Sequence, residues 1–82
     1  MAKILYFGRL TDITGTNAET LSLPASIRTT EDMRSWADER HHANGALMEK
    51  SVRIAVNNEM VADTALVSDT DEIAFMPPVG GG

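Results

Sequence analysis

Apolar and polar positions alternate along this chain in short runs whose period changes once. The first run, Lys3-Ile4-Leu5-Tyr6-Phe7, is branched and aromatic and is stopped by Gly8, which is the composition of a β-strand. Both of its faces are apolar, so it belongs in the middle of a sheet or turns its second face to a partner. From Asn17 to Leu23 the alternation is strict. Ala18, Thr20 and Ser22 fall on one side, and Glu19, Leu21 and Leu23 on the other. A period of two marks a half-buried strand, and an antiparallel hairpin with the first run is the economical pairing. Pro24 ends it, because proline cannot donate to a ladder. The connection from Arg9 to Gly15 is read as holding a helical turn over Leu10–Ile13, closed by Gly15.

The period then lengthens. Thr29-Thr30-Glu31-Asp32 has the composition of a helix start, with a threonine cap and acids in the first turn. Met33, Trp36 and Ala37 recur at helical spacing, while Arg34, Ser35, Asp38 and Glu39 take the other side. A helix is predicted from Thr30 to His41, stopping near Asn44-Gly45, with a further short turn at Ala46-Leu47-Met48. Val52–Val56 is a strand, Asn57-Asn58 a tight turn, and Glu59–Ala62 a short return strand. Asp63 to Thr70 is a connector anchored by Leu66 and Val67. A polar turn, Ser68–Asp71, then leads into the last strand, Glu72–Met76.

The predicted order is β, β, α, β, short β, β and a tail. It implies an α+β domain over residues 1–76, with a mixed sheet of about four to five strands packed on one main helix, and a separate tail over residues 77–82. One helix covers one sheet face. Phe7, Met60 and Phe75 are large apolar residues on strands, so they are expected to contribute to an exposed apolar contact surface.

Composition narrows the function classes. Eighty-two residues make one domain, and 43% hydrophobic content is globular. The sequence holds no cysteine, which excludes a disulfide framework, a thiolate nucleophile and a Cys-ligated metal and fits a reducing compartment. No apolar run approaches the roughly 20 residues that span a bilayer. Ile4–Phe7 is too short for a signal-peptide core of about 7–15 residues. The expectation is a soluble, cytoplasmic protein. Seven basic residues against twelve acidic give a net charge of −5, which argues against nucleic acid and against an anionic membrane. Such a charge either steers the chain to a basic partner or serves solubility alone.

Conventional active sites are missing from the pattern. No glycine-rich phosphate loop precedes a helix. His41 and His42 are adjacent, and neighbours on a helix point about 100° apart, so they are read as a solvated helix end and no metal site is expected. Asp69, Asp71 and Glu72 sit in a polar turn, which offers no cleft to separate two pKa values. No histidine is placed to activate a serine, and Trp36 reads as a core anchor.

The ending remains: Pro77-Pro78-Val79-Gly80-Gly81-Gly82. Two prolines stop the ladder and favour an extended, stiff exit. Glycines carry no side chain and fit a channel too narrow for any Cβ. Six extended residues reach roughly 20 Å, enough to enter another protein's active site. Two readings stay open at this point, a reactive terminal carboxylate on Gly82 and a frayed end.

The sequence resembles the ubiquitin-like β-grasp proteins and, among them, the MoaD-type sulfur carriers, the small-subunit family of molybdopterin synthases. The resemblance rests on Ile4-Leu5-Tyr6-Phe7-Gly8-Arg9-Leu10, on Val56-Asn57-Asn58-Glu59 and above all on the run from Asp71 to Gly82, with Gly80 at a variable position. It implies that an E1-like activating enzyme uses ATP to adenylate the Gly82 carboxylate. A sulfur donor protein then converts it to a thiocarboxylate. The sulfur goes to a cyclic pyranopterin precursor in molybdenum cofactor biosynthesis. It further implies a large catalytic subunit that carries the catalytic side chains, a heterotetramer, and no permanently bound cofactor. Gly80, Gly81, Val79, Pro78 and Pro77 would enter the partner, while Phe7, Met60 and Phe75 would form the docking patch. Alternatives are a carrier for thiamine or cysteine synthesis, a ubiquitin-like protein modifier, or a plain binding module.

Overall fold

The computed structural model describes residues 1–62 and 64–78. Their chain order is β1 (Ala2–Tyr6), α1 (Leu10–Thr14), β2 (Ala18–Leu21), α2 (Thr30–Arg40), β3 (Arg53–Val56), β4 (Glu59–Met60) and β5 (Glu72–Met76). The five strands form one sheet in the order β2-β1-β5-β3-β4. β1 pairs antiparallel with β2 and parallel with β5, while β3 pairs antiparallel with both β5 and β4.

The two-residue period decides what is buried. Ile4 and Tyr6 of β1, Ile54 of β3, and Ile73 and Phe75 of β5 turn inward. They meet Met33 and Ala37 of α2, Leu10 of α1, and Leu47, Val52 and Val67 from the connections. The helix starts as its sequence implies. Thr29 accepts from the Asp32 N–H at 3.2 Å, and the Asp32 carboxylate accepts from the Thr29 N–H at 3.1 Å. That is a reciprocal capping box with Asp in place of Glu. Asn57 and Asn58 have φ of 52° and 70°, the left-handed pair that a tight hairpin needs.

Several expectations are corrected. Arg34 was placed on the helix's polar side, but it is only 3% exposed. The chain after α2 folds back over it, and its guanidinium donates to the carbonyls of Leu47 and Glu49 at 3.2 and 2.9 Å. Leu66 is not an anchor. It is 79% exposed while Val67 is buried, because neighbouring residues in an extended segment point opposite ways. β4 is shorter than Glu59–Ala62, although Val61 N–H still donates to the Ile54 carbonyl at 3.2 Å. Trp36 is half-buried against the core, with the Arg40 guanidinium 5.3 Å from its ring centre.

His41 is also not solvated. Its side chain is 12% exposed and its Nε2 lies 2.7 Å from Glu19 Oε2 and 3.2 Å from the Tyr6 hydroxyl. The same carboxylate accepts from the Tyr6 hydroxyl at 2.9 Å and from Arg40 Nε and Nη2 at 3.0 and 2.9 Å. One Glu19 side chain therefore ties β1, edge strand β2 and the end of α2 together. Burial pushes the Glu19 carboxyl up, but hydrogen bonds from Arg40, His41 and Tyr6 outweigh it and hold the group below its ordinary range. Burial, then the Glu19 hydrogen bond and charge, push the Tyr6 hydroxyl well up.

These shifts set opposite limbs of a pH–stability profile. The Glu19 contribution is present above its ordinary value of 4.5 and is lost as pH falls through the lowered folded value. The Tyr6 contribution is present below its ordinary value of 10.0 and is lost as pH rises toward the raised folded value. Urea melts across pH are expected to show Glu19→Gln flattening the acid limb and Tyr6→Phe flattening the alkaline limb. Thr29→Ala should lower stability by about 1 kcal/mol at neutral pH with an unchanged denaturant slope.

Candidate functional site

The sheet face away from α2 is built by the residues that alternate with the core. One row crosses all five strands: Ala18 of β2, Leu5 of β1, Ala74 of β5, Ala55 of β3 and Met60 of β4 are successive register partners. Its centre is small, so the floor is shallow, with Ala74 and Ala55 at 9% and 5% exposure. Larger groups stand around it. Phe7 is 47% exposed and Met60 49%. Phe7 N–H donates to the Phe75 carbonyl at 3.1 Å, which extends the β1–β5 ladder by one residue and puts Phe7 beside the outward Met76.

Of the three expected patch residues, Phe7 and Met60 are on this face and Phe75 is not. Phe75 has no exposed surface, and its ring stacks on Tyr6 at 5.5 Å between centroids and 15° between planes. The reason is parity. Ile73 and Phe75 share the inward side of β5, so Glu72, Ala74 and Met76 face out. Met76 takes the place assigned to Phe75. The polar Glu72 at the start of the strand was the signal for this, since it marks which parity faces water.

The root of the tail is held at the same end of the face. Gly8 has φ of 56°, and a Cβ there would lie 2.9 Å from Pro77 Cγ. Backbone and proline ring thus meet at a separation that only glycine allows. Pro77 is half-buried and Pro78 exposed. Val79, Gly80, Gly81 and Gly82 lie outside the described residues. Beside Phe7 and Gly8 the face dips into an open cleft of about 480 Å³, lined among others by Lys3, Leu5, Thr11 and Asn17. Residue-by-residue reading missed Gly8 as a contact for the tail, because its partner is some seventy positions away in the chain.

Chain order, sheet order and this face together form the ubiquitin-like β-grasp architecture. The ThiS family model matches residues 4–82. The chain belongs to the ThiS family.

Similar curated proteins of this family include the molybdopterin synthase sulfur carrier subunit of Homo sapiens, 36% identical over 98% of this chain and 92% of that protein. The protein of the same description from Escherichia coli (strain K12) is 34% identical over the full length of both. Among solved structures, a Pyrococcus furiosus protein provisionally described as molybdopterin converting factor, subunit 1 aligns with TM-score 0.75 and 27% identity, covering 95% of this chain and 97% of that one. Small archaeal modifier protein 1 from Haloferax volcanii aligns with TM-score 0.79 over 99% of this chain and 98% of that one. At 20% identity this shows the fold alone.

Two carboxylates of this ThiS-family domain that stand near β5 are engaged in hydrogen bonds. Asp69 accepts from the Leu23 N–H at 2.6 Å, which pulls its carboxyl below the ordinary range. Asp71 accepts from Asn57 Nδ2 at 2.9 Å and Ser68 N–H at 2.7 Å, and is lowered chiefly by the Asn57 contact. Both carboxylates are structural ties between the turn and neighbouring segments. Among the described residues no three His, Asp or Glu side chains stand together as metal ligands.

The parity of β5 is directly testable. Phe75→Ala should cost about 3–5 kcal/mol in urea unfolding, whereas Phe7→Ser should change stability by no more than about 0.5 kcal/mol. Similar losses from both would contradict the assigned faces.

Proposed function

We propose that this chain is the sulfur-carrier subunit of a molybdopterin synthase, with the Gly82 carboxylate as its working group. The observation that carries this reading is the Pro77–Gly82 run rooted against Gly8 beside an exposed apolar face. Curated relatives at 34–36% identity are named as that subunit. The domain docks through the open face while the tail reaches the partner's reaction centre.

In this proposal an E1-like enzyme joins the carboxylate to the AMP part of ATP and releases pyrophosphate. A hydrosulfide equivalent released by a donor protein attacks the acyl carbon, the acyl–phosphate bond breaks and AMP leaves, giving a C-terminal thiocarboxylate. A large catalytic subunit then receives the tail, and the sulfur passes to a cyclic pyranopterin precursor. An unhindered glycine carbonyl suits both acyl substitutions. Pro77 and Pro78 limit the directions in which the arm leaves, so less freedom is lost when it threads a channel. The assembly is a heterotetramer in the cytoplasm, and the small subunit keeps no cofactor of its own.

Coexpression with the E1-like enzyme and its sulfur donor should yield a C-terminal peptide heavier by the oxygen-to-sulfur exchange. Removing Gly82 should abolish precursor conversion while the unfolding curve stays unchanged. A chain without Gly82 that still supports conversion would overturn the assignment, as would an unmodified peptide under those conditions.

A further inference from the structure

The open sheet face carries charge of the opposite sign to the whole protein. The chain has a net charge of −5 and seven basic residues. Arg34 is buried under the segment after α2, and Arg40 is bound to Glu19. Lys3 and Arg53 lie on the open face instead. Lys3 lines the cleft beside Leu5 and Phe7, and Arg53 is the register partner of Met76. Arg9 follows Gly8 at the root of the tail and is exposed. Among the described residues no ion pair engages Lys3, Arg9 or Arg53. At the outward strand positions Glu72, beside Lys3, is the one carboxylate.

The layout is therefore an apolar centre of Phe7, Ala74, Met76 and Met60 with cations at its margin, on a domain that is otherwise strongly acidic. Protein interfaces have this anatomy, an apolar core and a polar rim. Rim charges set encounter rate and orientation more than final affinity. Whole-chain charge alone would favour a basic partner. At contact range, within a Debye length of about 8 Å, the local charges decide. A polyanion fits poorly, because the cations are dispersed around an apolar floor and the rest of the molecule repels it.

Resting on the carrier reading above, we propose that the partner's docking surface is an apolar patch rimmed by carboxylates, and that Lys3 and Arg53 orient the carrier on it. This refines the partner from a large subunit in general to one whose contact surface is acidic at its edge.

The test measures association of the purified full-length chain with the large synthase subunit by stopped-flow at about 50 mM and about 500 mM salt. Lys3→Glu/Arg53→Glu is expected to slow association by about tenfold or more at low salt, with the gap closing at high salt. Arg28→Glu/Arg9→Glu separates two positions. Arg28 is exposed at the start of α2, so Arg28→Glu alone should leave the rate within about twofold, and adding Arg9→Glu should slow it. Equal slowing by Arg28→Glu alone would show a net-charge effect and overturn the rim. A rate indifferent to Lys3→Glu/Arg53→Glu would overturn it too, as would salt-resistant capture of the wild-type chain by a single-stranded oligonucleotide that the double variant loses. A wild-type chain that fails to bind the large subunit overturns the carrier reading itself, and this partner with it. Thermal unfolding of each variant, unchanged at these exposed positions, excludes misfolding as the cause.

Discussion

The parallel pairing of β1 with β5 is the constraint on which the rest of the structure depends. It joins the start of the chain to the strand that immediately precedes the tail, register partner by register partner from Lys3–Glu72 to Tyr6–Phe75. It buries the Tyr6–Phe75 stack at the centre of the core. It also brings Gly8 against Pro77. Shifting that register by one residue would turn Phe75 outward and Met76 inward, and would move the tail root away from the glycine that accommodates it. Core packing and the seating of Pro77 against Gly8 are thus one geometric fact.

The second structural device is the shared Glu19 carboxylate. β2 is an edge strand of four residues, and short edge strands contribute little by themselves. Glu19 receives donors from β1 and from the end of α2, so the edge is clamped by side chains on the covered side of the sheet. That clamp makes no use of the opposite side of the sheet. That separation lets the open face be shallow, apolar and charged at its margin without loss of the fold.

Much of this was legible in the sequence, and the exceptions share a cause. Strand and helix positions followed from period and composition, and the threonine cap, the Asn57-Asn58 turn and the Gly15 stop from residue type. Local chemistry determines such features. What went astray depended on distant partners. Arg34 looked solvent-facing because nothing nearby announces the carbonyls of Leu47 and Glu49. His41 looked like a solvated helix end because Glu19 is 22 positions away. Phe75 was assigned to the patch for its size, although the inward and outward parity of its strand was already written in Glu72 and Ile73. Of the expected surface residues, Phe7 and Met60 follow from outward strand positions, whereas the inward turn of Phe75 depends on a strand parity that its size does not reveal.

The β1–β5 pairing has a further consequence for how the molecule comes into being. β5 follows every other described element in the chain, yet it occupies the middle of the sheet between β1 and β3. During synthesis the growing polypeptide has β1 and β2 early, but the strand that joins them to β3 arrives late. A nascent chain halted before residue 72 leaves the facing edges of β1 and β3 without a partner and half the core without a lid. Only a molecule translated through Met76 can close its sheet, so folding of this domain waits for nearly the whole chain to be made.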